Sequence, residues 1–298
     1  MMILPSNERC FERLAAEPDS AASRQFAFLK RFSDDRGLLE RGFDTNIATQ
    51  FHELYWELYL AAALDRFGLA VSRGTGKCEP DYRVRRDGLT IFIEAVASSV
   101  PKNPDNLVRP APNSADSDFE EGIAPDAAIL QRLAQCLDEK IGKLNRPAAL
   151  ATMKAAGDSC VVIALNGNRA VNGHAHDDIP IAPPFVVRAV FGLVDQWINE
   201  SAGIFWRQSA AMQKGERTFP LGHFDQDQWR RGTASGMSVR HIAGVLFSKA
   251  TAWHTAGQLG DEFLIVQNPQ GPDLTKVFGF CPRGVWIREH ETIRKVHT

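Results

Sequence analysis

"EPDYRVRRDGLTIFIEAVAS", residues 79–98, holds two strand-like runs joined by Asp87-Gly88. Asp-Gly between β-prone runs is a strong signal for a two-residue hairpin turn in which both central residues take positive φ. That turn predicts the pairs Arg86 with Leu89, Arg85 with Thr90, Val84 with Ile91, Arg83 with Phe92 and Tyr82 with Ile93. Tyr82, Val84, Leu89, Ile91, Ile93 and Ala95 then share an apolar face, because side chains alternate along a strand. Asp81, Arg83, Arg85, Thr90, Phe92 and Glu94 share the other face, with Asp81 opposite Glu94. Opposed side chains have Cβ atoms about 4.5–5.5 Å apart, and like charges there repel. A carboxylate inside the run Ile91–Val96 is costly to bury without a partner. A cation such as Mg²⁺, which uses one or two carboxylates and keeps waters for a substrate, would answer both problems. The alternatives are a Glu94 that reaches solvent or pairs with Arg83 or Arg85, and a bulge that breaks the register.

Helices are expected at 7–16, 20–33 and 46–67, the last ending at Gly68. Further strands are expected at 69–73, 159–167, 241–248 and 262–267, with helices at 126–145 and 184–199. Residues 98–125 carry prolines at 101, 104, 110, 112 and 125 and read as a long loop. On the helix over 46–67, Glu57 points with Leu54, Leu60, Ala61 and Leu64 toward the expected sheet, and Glu53 lies one turn before it. Glu57 either joins Asp81 and Glu94 as a third metal ligand or pairs with a strand arginine; the three acids together favour the metal. The order of elements predicts an α/β fold around one mixed central sheet flanked by helices. It divides into an N-terminal helical segment (1–45), a core (46–200) and a C-terminal extension or small subdomain (201–298).

The chain has 298 residues, 44% hydrophobic and 23% charged, with a formal charge of −2. A polyanionic partner must therefore be met by local basic patches. Five cysteines, Cys10, Cys78, Cys136, Cys160 and Cys281, show no metal-binding spacing and read as reduced thiols. The N-terminus lacks a signal-peptide core, and Arg188 interrupts the most apolar run, "PPFVVRAVFGLV". A cytoplasmic protein outside the membrane is the expectation.

A helix with an inward Glu, then Pro-Asp on a second strand, an acid within an apolar third strand, then a helix and a strand, resembles the PD-(D/E)XK nuclease superfamily. "FHELYWELYLAAALDRFG…PDYRV…IFIEAV" looks like a bacterial branch of that superfamily with the motif lysine displaced. The resemblance covers about residues 46–166. It implies a restriction-endonuclease-like αβββαβ core and metal-dependent hydrolysis of phosphodiesters, with DNA preferred over RNA as partner. Asp81 takes the place of the family's Asp, Glu94 that of its Asp/Glu, and Glu57 that of its helix Glu. Mg²⁺ or Mn²⁺ would be held by Asp81, Glu94 and Glu57, with the Ala95 carbonyl a further ligand. Val96 stands where the family usually has its catalytic Lys. Lys140 and Lys143, on the helix expected beside the third strand, are the candidate replacements, Lys140 ahead of Lys143. Lys77 is a weaker one. The alternative reading is a nuclease fold without catalysis, serving as a nucleic-acid-binding or protein-interaction module. A homodimer would be compatible with either.

Arg83, Arg85, Arg230 and Arg231 are candidate phosphate contacts, and Trp229 could stack on a base. "NGHAHDDIP" offers His174, His176, Asp177 and Asp178 to zinc, without a second matching cluster. "RGTGKCEP" has neither the spacing nor the hydroxyl of a phosphate-binding P-loop.

Overall fold

The computed structural model describes residues 2–3, 6–74, 76, 79–98, 120–121, 126–168, 183–199, 203–208, 211–214, 217–220, 222–224, 239, 241–253, 257–274, 278–279, 283–289 and 292–296. The chain is mixed α/β, built on an eight-stranded mixed sheet. Its strands are β1 (Val71–Arg73), β2 (Tyr82–Arg86), β3 (Leu89–Ala97), β4 (Ser159–Asn166), β5 (Ile242–Ser248), β6 (Leu264–Gln267), β7 (Val285–Glu289) and β8 (Thr292–Val296). They lie across the sheet in sequence order. β3 and β4, β4 and β5, and β6 and β7 run parallel; every other neighbouring pair is antiparallel.

The hairpin forms as its turn predicts. Asp87 and Gly88 have φ of 50° and 83°, and β2 and β3 pair in the register from Arg86–Leu89 to Tyr82–Ile93. The alternation of side chains separates two cores. Tyr82, Val84, Ile91, Ile93 and Ala95 join one cluster with the helix Phe51–Arg66, whereas Phe92 joins another with the helix Asp126–Leu144.

The N-terminal helices are α1 (Asn7–Ala16) and α2 (Ala21–Asp35), started by Ser6 and Ser20, whose hydroxyls accept from backbone N–H groups three residues on. The long helix, α3 (Phe51–Arg66), begins later than the expected residue 46, because Gln50 leaves helical backbone after a separate turn at Phe43–Asn46. It ends at Gly68 with φ 76°, where Gly68 and Leu69 donate back to the carbonyls of Asp65 and Leu64. Nearly all of α3 is buried. Its aromatic residues keep their polar tips satisfied: Trp56 Nε1 donates to the Ala164 carbonyl and Tyr55 Oη to that of Thr251.

The opposite face is covered by α4 (Asp126–Leu144), α5 (Pro147–Ala155) and α6 (Phe185–Phe191). The helix expected over 184–199 stops at Phe191, where Gly192 adopts φ 70°, and Leu193–Asn199 is instead a strand paired with Gly203–Gln208. Two more two-stranded ribbons pair Met2–Ile3 with Glu120–Glu121 and Ala211–Lys214 with Arg217–Pro220. Among the described residues no helix is long and apolar enough to cross a membrane.

Candidate active site

β3 lies between β2 and β4 and is covered by helices on both faces, so its residues from Thr90 to Ala95 are all buried. Glu94 is among them, with 0% exposure. It points to the α4 side, the side of Phe92 and Val96. There α4 brings two residues one turn apart onto it: Lys140 Nζ lies 2.5 Å and Lys143 Nζ 2.6 Å from Glu94 Oε1. Neither Arg83 nor Arg85 takes that role. Positions three apart on a helix share a face, which is why both ammonium groups reach one oxygen. Glu94 Oε2 is buried and, among the described residues, has no hydrogen-bond partner.

Asp81 stands just outside the first residue of β2, and its carboxylate turns toward β3, where Oδ2 accepts from the Ala95 backbone N–H at 2.8 Å. Burial and the nearby Glu94 hold the Asp81 carboxyl above its ordinary pKa, against the pull of Lys140, Lys143 and the Ala95 N–H. Burial draws Lys140 down, but Glu94 and then Asp81 outweigh it, so its ammonium is held above the usual lysine value. Two acids and two ammonium groups thus form one cluster: Asp81, Glu94, Lys140 and Lys143.

Glu57 does not complete a three-carboxylate centre with them. Its carboxylate lies 3.0 Å from Arg73 Nη2, so the reading in which Glu57 pairs with a strand arginine is the one the structure bears out. Arg73 also donates to the Leu38 carbonyl and lies 3.6 Å from Glu40, while Tyr82 Oη donates to the Glu57 carbonyl. Among the described residues no three His, Cys, Asp or Glu side chains form a group that could hold a metal ion. Glu57 still senses Asp81: burial and then the Asp81 charge push its carboxyl up to about 7, against the pull of Arg73. Sequence reasoning offered a strand arginine without singling out Arg73, which stands at the end of a short strand facing α3.

The raised Glu57 fixes a pH dependence. An acid whose pKa rises on folding stabilises the fold below its unfolded value, near 4.5, and loses that contribution as pH climbs through about 7. The loss is about 3 kcal/mol. Glu57→Gln is therefore expected to gain about 3 kcal/mol relative to wild type between pH 4.5 and pH 8, read from urea denaturation at both. Parallel pH profiles for the two proteins would remove Glu57 as the source.

The candidate phosphate contacts differ in availability. Arg83 donates to Glu79 Oε1 at 2.9 Å and lies 5.5 Å over the Phe92 ring, so it is largely engaged. Arg85, two residues along the same face of β2, is exposed. Arg230, Arg231, Trp229, Lys77 and the histidine-containing stretch 172–180 lie outside the described residues, as does most of 98–125. No protein-family model matches the chain, and no curated protein or solved structure compared with it is significantly similar.

Proposed function

We propose that the chain is a metal-dependent nuclease of the PD-(D/E)XK type, hydrolysing phosphodiester bonds in DNA in preference to RNA. The observation that carries this reading is the convergence of Lys140 and Lys143 on Glu94 beside Asp81. Val96 leaves the usual lysine position empty, and α4 supplies ammonium groups to the same carboxylate from across the sheet face. The order of α3, β1, β2, β3, α4 and β4 also supports it, although the sheet is larger than the four-stranded core that the resemblance implies.

The donor set suits a hard divalent cation. Glu94 Oε2 is a buried oxygen in need of a partner, and Asp81 is a second carboxylate close enough to raise its own pKa through Glu94. Mg²⁺ or Mn²⁺ would be held by these two acids, with the Ala95 carbonyl following by resemblance and Glu57 kept apart by Arg73. When bound, such an ion lowers the pKa of a water and neutralises charge on a phosphodiester oxygen. The Ala95 N–H fixes the Asp81 carboxylate in place. Lys140 stays protonated beside it and stabilises the charge that gathers on the phosphate oxygens in the transition state. Arg85 is exposed on the same strand face and meets a backbone phosphate of the bound strand.

The test is incubation of supercoiled, linear and single-stranded DNA, and of RNA, with Mg²⁺ or Mn²⁺, wild type beside Asp81→Asn. Nicking or cleavage by wild type, lost on adding EDTA and in Asp81→Asn, is the expected result. Intact substrates throughout, with nucleic-acid binding retained, would replace the enzyme with a binding module on the same fold.

A further inference from the structure

Among the described residues, the cluster around Glu94 is balanced before any ion arrives. Asp81 and Glu94 supply two negative charges, Lys140 and Lys143 two positive ones, and both ammonium groups sit on one oxygen of the more deeply buried acid. The neighbouring arginines are committed elsewhere: Arg83 to Glu79, and Arg73 to Glu57. Mobility within the cluster is unequal. Glu94 is fixed in the middle of β3 with 0% side-chain exposure, whereas the Lys140 and Lys143 side chains keep 23% and 32% of theirs. A lysine stem of that exposure can swing its head to water while the stem stays packed. The carboxylate has no such choice.

We infer that Lys140 and Lys143 are a resident counter-cation for Glu94, with which a divalent cation must compete, so that the free protein binds the ion weakly until a phosphodiester draws the lysines away. This rests on the metal-binding reading of the same site and adds a ranking to it. Charge repulsion sets that ranking: an ion approaching Oε2 meets two ammonium groups on the neighbouring oxygen, and each weakens its binding. A phosphate offers those groups an alternative anionic partner and takes the repulsion with it. Cation and nucleic acid therefore favour one another's binding, as reciprocal linkage requires. Lys140 and Lys143 act on the ion as positioning residues, without ligating it.

The experiment measures Mn²⁺ alone binding to the full chain at pH 8, by calorimetry and by the loss of the free-ion electron paramagnetic resonance signal. Wild type is compared with Lys143→Gln, Lys140→Gln and Glu94→Gln. Each lysine variant is expected to bind Mn²⁺ about tenfold more tightly than wild type, the scale of one charge's effect at hydrogen-bond distance. Glu94→Gln is expected to bind more weakly than wild type. Lys143 sits in the last, half-exposed turn of α4, so Lys143→Gln keeps the test alive if Lys140→Gln fails to fold. Unchanged or weaker affinity in folded Lys143→Gln would overturn the inference, and so would the absence of binding in every variant. Mn²⁺-dependent cleavage by wild type with no tightening in the lysine variants would sink this inference and leave the nuclease reading standing. Tightening without cleavage of any nucleic acid would do the reverse.

Discussion

Glu94→Gln is expected to abolish metal-dependent cleavage, by roughly a thousandfold or more, while leaving the protein folded. The amide keeps the volume of the side chain in a strand that is closed on both faces, so no cavity opens. It cannot carry the charge that balances two ammonium groups or an ion. Those ammonium groups have somewhere to go, because Lys140 and Lys143 stand at the partly exposed side of α4 and can turn to water. Cleavage by Glu94→Gln at the wild-type rate would remove Glu94 from the chemistry. Global unfolding would show that the acid is held for structure alone. A melting curve beside the cleavage assay separates the two.

Removing the lysines should have the opposite signature. With Lys140→Met and Lys143→Met combined, Glu94 keeps its charge but has no counter-ion and no route to solvent. Breaking a buried pair from one side costs about 3–5 kcal/mol, because the remaining charge stays buried and uncompensated. The double variant should lose that much stability at pH 8 in urea denaturation. Adding Glu94→Leu should restore most of the loss, since a buried ion pair replaced by apolar groups is often neutral. A double variant as stable as wild type would mean that the lysines do not compensate Glu94 in solution.

The hairpin was legible in the sequence because every signal in it is local. Asp87-Gly88 sets the turn, the turn sets the register, and the alternation of Tyr82, Val84, Ile91 and Ile93 sets the faces. The two lysines were legible as candidates for a similar reason, since a helix that follows β3 and returns to a parallel β4 has to cross beside β3. Their meeting on a single oxygen was not, because it depends on how far along β3 the helix crosses. Glu57 shows the limit from the other side. Helical periodicity placed it correctly against the sheet, but against the face opposite Glu94, within reach of Arg73. Periodicity gives a direction and does not choose between partners that the direction reaches. The stretch 184–199 misled because Gly192 ends a helix in the middle of a run whose residues suit helix and strand alike. Strands β7 and β8 went unread because their pairing joins them to β6, and through it to a sheet whose other members come from far earlier in the chain.

The place of β4 in the sheet has a consequence for how the chain is made. Every residue of the acid–lysine cluster precedes it, and β4 is buried at every position from Cys160 to Asn166, parallel to β3 on one edge and to β5 on the other. β5 begins at Ile242, more than seventy residues later. A nascent chain that has emerged only as far as residue 168 carries the whole cluster, yet leaves one edge of an apolar strand with its amide and carbonyl groups unpaired. Such an edge is a template for the same strand of another copy. The C-terminal strands therefore act as an edge guard for the half of the sheet that bears the cluster, and shortened forms ending near that point will aggregate before they can be assayed.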